Sequence, residues 1–128
     1  MHFDGRTQRA FREAGVDRET VEAVADRVVE LARTDAERVG GFFEAHDRVV
    51  SDMDLAHSTS EFPEHAVAYC DLFTHGAEIR GYLRFDSWGV PVEDVRVLVG
   101  DESPDVVECT LGPTVNGRVR FSTDRERL

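Results

Sequence analysis

At 128 residues the chain has the length of one domain, 1–128, and enough residues to close a core without metal or disulfide staples. Its formal net charge is -11, from 26 acidic residues against 15 basic ones, and every basic residue is Arg. No apolar run approaches the ~18 residues a membrane span needs and Met1 to Arg12 is too charged for a secretory leader, so no membrane-spanning helix is expected and a cytoplasmic protein is.

Asp4 is placed to cap a short first helix, Thr7 to Ala14, with Ala10, Phe11 and Ala14 on one side and Gly15 as its stop. Asp17 then caps a stronger pattern. Val21, Val24, Val28, Leu31 or Ala32, Ala36, Val39, Phe43 and Val50 recur at three- and four-residue steps, which predicts one long helix to about Val50. Charges at four-residue spacing, Arg18 with Glu22, Arg33 with Glu37 and Glu44 with Arg48, fill the opposite face. Gly40 and Gly41 weaken that helix by about 1 kcal/mol each relative to Ala without breaking its apolar phase, a kink or break there being the alternative.

Ser51 to Glu64 follows neither period and reads as a loop. Pro63 suits a first helical turn, and Phe62, Ala66, Tyr69 and Phe73 continue at helical steps, so a helix from Pro63 to about Thr74 is expected, with a strand as the alternative. From Gly81 the period becomes two. Strands are expected at Gly81 to Phe85, Gly89 to Val92, Val95 to Val99, Val106 to Leu111 and Arg118 to Ser122. Asn116-Gly117 reads as a type I′ hairpin turn, and Pro91 and Pro113 mark edges or interruptions because proline cannot donate to a ladder. Helices first and strands second give an α+β fold, the N-terminal helices packed on a C-terminal antiparallel β-meander.

An acidic excess without Lys, with abundant Val and only one Ile, one Asn and one Gln, is the composition expected of a salt-adapted cytosol, the alternative being the codon bias of a GC-rich genome, which replaces Lys by Arg but does not account for the acidic excess. Short carboxylates hold water and cations where the apolar stem of Lys hydrates poorly. At ionic strengths above about 1 M the Debye length is about 3 Å, so net charge reports solubility more than choice of partner. Cys70 and Cys109 lack zinc-site spacing and lie in apolar stretches, as buried thiols do.

The candidates for chemistry gather around the centre of the chain. His57, Glu61 and His65 are spaced by four and could share one helical face around a divalent ion, but Pro63 interrupts that helix, so no metal is assigned. Asp71 and His75, four apart on the expected helix, could form a base and its orienting carboxylate, or an ordinary helix pair. Arg80 and Arg84 alternate with Tyr82 and Asp86 on a polar strand face that could bind an anion or stand solvated, with Leu83 and Phe85 opposite; Trp88 reads as a core anchor, with an exposed interface residue as the alternative. No phosphate loop, nucleophile elbow, paired CxxC or helix-turn-helix signature is present, and no cofactor is implied.

The stretches MDLAHSTSEFPEH (Met53 to His65), DLFTH (Asp71 to His75) and IRGYLRFDSWG (Ile79 to Gly89) resemble a family of short haloarchaeal proteins of unknown function. The resemblance covers nearly the whole chain, implies a haloarchaeal cytoplasmic origin and brings no chemistry. Two functions stand from here: a small interaction or regulatory module, as a homodimer or with a protein partner, and a small metal-assisted or acid-base enzyme using the central loop. Nucleic acid is disfavoured as a partner, because the mildly basic ends hold carboxylates as well as Arg.

Overall fold

The computed structural model describes residues 3–53, 62–100, 103–112 and 117–128. Two helices, α1 (Gly5–Glu13) and α2 (Arg18–Ala45), precede six strands: β1 (Arg48–Ser51), β2 (Glu64–His75), β3 (Glu78–Phe85), β4 (Gly89–Val99), β5 (Val106–Leu111) and β6 (Arg118–Ser122). Each strand pairs antiparallel with the next, and β6 returns to β1, closing a barrel. The α+β order of helices before a meander is as expected. Closure was not foreseen, since two of the six strands fall in segments expected to be helical.

Both helix starts are local chemistry. The Asp4 carboxylate accepts the Thr7 N–H at 2.7 Å and the Asp17 carboxylate accepts the Thr20 N–H at 2.8 Å, each filling a donor that the first turn leaves open. Gly15, at φ +84°, ends α1 in the left-handed region. The helix α2 runs through Gly40 and Gly41 but stops at Ala45, five residues short of the expected end. His46 is already extended at φ -129°, and Arg48, Val49 and Val50 pair with Ala66, His65 and Glu64 instead. Arg48 therefore meets Glu64 across the ladder at 2.6 Å, not Glu44 along a helix.

The segment 64–75 is the long strand β2, not a helix. A bulge between Val67 and Tyr69 inserts Ala68 and changes the parity of the alternation. His65 and Val67 face the core before it; Cys70 and Leu72 face the core after it. The tight turn Gly76-Ala77, with Gly76 at φ +60°, joins β2 to β3 and starts β3 three residues earlier than expected. Residues 89–99 form one strand, its pairing with β5 shifting between Val92 and Asp94 where two strands were expected. Pro91 sits inside it, and its carbonyl accepts the Gly112 N–H at 2.8 Å just beyond the β5 ladder. Gly81 is required by close approach, since a Cβ there would overlap the Asp71 carbonyl.

The core fills the barrel and continues onto α2. Val39, Phe42 and Phe43 meet Leu83, Phe85, Val90, Val107 and Phe121, with the Phe43 and Phe121 rings edge-on at 5.2 Å. The helix thus covers the β2–β3–β4 side of the barrel.

The last turn differs from the expected two-residue hairpin. Thr110 pairs with Arg118 and β5 ends at Leu111, so 112–117 connect the strands; Asn116 and Pro113 lie outside the described residues, whereas Gly117 stands at φ +76° with open space where a Cβ would be. Gly117→Val is expected to cost about 1–3 kcal/mol from backbone strain alone. An unchanged melting temperature would mean that the left-handed conformation is not held in solution.

Candidate functional site

Of the residues singled out from sequence, His57 and Glu61 lie outside the described residues. His65 is buried inside the barrel. Its ring stacks on Phe85 at 4.7 Å, meets Trp88 and Phe121 edge-on at 6.2 and 6.1 Å, and its Nε2 is 2.8 Å from the Ser51 hydroxyl. Ser51 is itself buried, and its oxygen also accepts the Met53 N–H at 3.2 Å. Burial pushes the His65 pKa below its ordinary value, opposed by the neighbouring Glu64 carboxylate. The imidazole is therefore a neutral core group tied to β1. Because β2 is a strand, no continuous helical face carries His65 with His57 and Glu61.

Asp71 and His75 are on the outer face of β2, four residues apart, which along a strand is about 13 Å and beyond hydrogen-bond reach. The helical base-and-carboxylate pair is thereby replaced by cross-strand neighbours: Tyr69 opposite Arg84, Asp71 opposite Tyr82, Phe73 opposite Arg80 and His75 opposite Glu78. Arg80 is anchored, donating to the carbonyls of Ile79 at 2.8 Å and Glu93 at 2.6 Å. Leu83 and Phe85 point inward as expected, and Trp88 packs at 4.9 Å on Phe85.

The four outer-face candidates surround something the sequence reading did not assemble. Tyr69, Phe73 and Tyr82 keep 48%, 61% and 37% of their surface exposed on this one face. The two tyrosine rings lie 6.4 Å apart, and Tyr82 covers Gly89, where a Cβ would overlap the ring. Beside them a groove of about 350 Å³ runs between the end of α2 and β2, lined by Phe43, Glu44, Asp47, Tyr69, Cys70 and Asp71 among others. The Cys70 thiol at its floor is pushed up to about 12 by burial and then by Asp71, so it stays protonated and is no nucleophile. The groove follows an open strand edge: β1 pairs only with residues 64–66, the Val67 N–H bonds the Asp47 carbonyl at 2.8 Å, and beyond that β2 pairs with β3 alone among the described residues.

Among the described residues no three His, Cys, Asp or Glu side chains come together as a metal site would need. Among the described residues no helix is long and apolar enough to cross a membrane. Compared with known proteins, the chain matches a family of unknown function, DUF7532, over residues 1–126. The chain belongs to DUF7532. No curated protein and no solved structure matches it. The family carries no assigned activity, so for this DUF7532 chain the geometry of β2 and β3 is the ground on which a function is argued.

Proposed function

We propose that this chain is a small interaction module of a salt-adapted cytosol, and that the outer face of β2 and β3 is its contact surface. The observation that carries this reading is the grouping of Tyr69, Phe73 and Tyr82, all solvent-exposed, among Arg80 and Arg84. Single exposed apolar side chains are ordinary on any protein. Aromatic residues clustered with Arg are the composition of binding hot spots, where rigid rings supply contact area at small entropic cost. Asp71 and Glu78 on the same face argue against a phosphate backbone as the partner.

The enzyme reading has less support. It needs proton-transfer groups that converge in reach of a substrate. His65 and Ser51 are closed off from solvent, and Asp71 and His75 stand too far apart to act as a pair.

Capture from a native high-salt lysate tests the surface. Tyr69→Ser combined with Phe73→Ser changes only exposed positions and should leave the melt within about 0.5 kcal/mol of the parent. The folded double variant is expected to lose the proteins that the parent retains, its own copies included. If it holds the same set as the parent, the contact surface is elsewhere.

A further inference from the structure

We infer that the occupant of this surface is a second copy of the chain, joined edge to edge through β2. The inference rests on the contact-surface reading and adds the partner and the mode of pairing.

An open strand edge is a row of unsatisfied N–H and C=O groups and pairs readily with another strand. Among the described residues the open stretch of β2 begins after Val67, where the ladder with β1 ends, and runs to the turn at Gly76. The bulge at Ala68 bounds it on one side, so the segment that can pair regularly is 69–75. The groove beside this edge, open along Tyr69, Cys70 and Asp71, leaves the backbone approachable.

The outward side chains of that segment are Tyr69, Asp71, Phe73 and His75, and their order favours the same strand as partner. In an antiparallel pair related by a two-fold axis at Phe73, the two Phe73 rings meet at the centre. Asp71 of each copy then stands opposite His75 of the other, twice. Side chains directly opposite are about 4.5–5.5 Å apart at Cβ, close enough for both contacts. An axis at Asp71 would instead set two carboxylates against each other. An unrelated extended peptide has no reason to carry both complements, whereas a second copy carries both by construction. The segment itself holds one Asp and one His, and Glu44 and Asp47 stand beside the groove at its start, so the pairing is expected in molar salt, where their repulsion is screened. Isologous pairing uses the same edge on both copies and closes, so it yields a dimer and not a filament.

Sedimentation of the full chain in molar KCl, over a hundredfold range of concentration, tests the proposal. The parent is expected to dimerise. Phe73→Glu sets two carboxylates at the axis and should weaken the dimer by at least tenfold. Tyr82→Glu lies on the same face but one strand away from the edge and should weaken it far less. Circular dichroism melts confirm that both variants fold. Phe73→Cys should give a dimer held by a disulfide under mild oxidation, which the parent does not form. A parent that stays monomeric throughout overturns the pairing. Equal weakening by Phe73→Glu and Tyr82→Glu overturns it too, because that is the mark of face-to-face docking. In either case the loss of lysate partners by the Tyr69→Ser and Phe73→Ser double variant still decides the contact surface separately.

Discussion

Replacing His65 by Ala is expected to destabilise the fold by about 2–4 kcal/mol. From sequence alone, histidines that hold the central segment by hydrogen bonds would cost about 1–3 kcal/mol each, whereas ligand-site histidines would leave the double change His57→Ala and His65→Ala within about 1 kcal/mol of the parent. The structure supports the first forecast, because the ring is buried among Phe85, Trp88 and Phe121 and its Nε2 meets the Ser51 hydroxyl. Truncation empties a ring-sized space and leaves a buried hydroxyl short of one partner. The same histidine gives a pH signature. Its folded pKa lies below the ordinary value of about 6.5, so the unfolded chain takes up a proton more readily than the native one. Its stabilising effect is complete above that ordinary value and is lost as pH falls from it toward the folded pKa. The slope is at most about 1.4 kcal/mol per pH unit for one such group. Urea unfolding of the parent and of His65→Ala at about pH 7 and about pH 5 should therefore show a smaller gap at the lower pH. A variant as stable as its parent, or a gap that widens at low pH, would mean that the buried neutral ring has been misplaced.

How legible this fold was depends on where neighbouring residues set the rules. Asp4, Gly15 and Asp17 act through their own backbone neighbours, and the helix starts and the stop of α1 follow from them without tertiary context. The strands β5 and β6 alternate over 107–111 and 118–121, and their bounds agree with expectation to the residue. The errors fall where a long-range contact overrides a local pattern. Val50 lies seven residues after Phe43 and so continues the helical phase of α2, yet its backbone is drawn into ladders with β2 and β6. In β2 the bulge at Ala68 places both Val67 and Cys70 inward, a three-residue step that imitates a helix. The exposed Tyr69 and Phe73 completed that imitation, being four apart and apolar while facing solvent. Asp71, His75, Arg80 and Arg84 were visible as chemistry-bearing residues, but that they share a face depends on the Asp71 to Tyr82 register. One signal could have revealed it: His75-Gly-Ala-Glu78 fits a tight turn, with Gly at the position that needs positive φ. Reading that turn first would have made β2 a strand and collected the aromatic residues beside their arginines.

Raising KCl from about 0.1 M to about 2 M is expected to raise the melting temperature by about 3–12 °C. The basis is the distribution of the acidic excess. On α2, Glu22 and Glu30 have Arg partners at 3.0 Å, whereas Glu19, Asp26, Glu37 and Glu44 are exposed with no ion pair among the described residues. A further concentration lies beside the groove, where Glu44, Asp47 and Asp71 line one cavity. At about 0.1 M salt the Debye length is about 10 Å, long enough for carboxylates on successive helical turns to repel one another. Above about 1 M it is about 3 Å, shorter than their spacing, and the repulsion is gone. For a domain of this length 1 kcal/mol corresponds to roughly 3–6 °C, so relieving even ~1–2 kcal/mol gives a shift that calorimetry resolves. Screening also weakens the exposed ion pairs, which opposes the rise, but such pairs contribute only about 0–1 kcal/mol each. Arg18 with Glu22 and Arg27 with Glu30 are both well exposed, so they cannot reverse its sign. A melting temperature that is flat or falls with KCl would refute salt adaptation and leave the Arg-only composition to codon bias. Repeating the melts in tetramethylammonium chloride at equal ionic strength separates the two ways salt can act: screening alone predicts the same rise, whereas cations held by the carboxylate layer predict a larger rise in KCl.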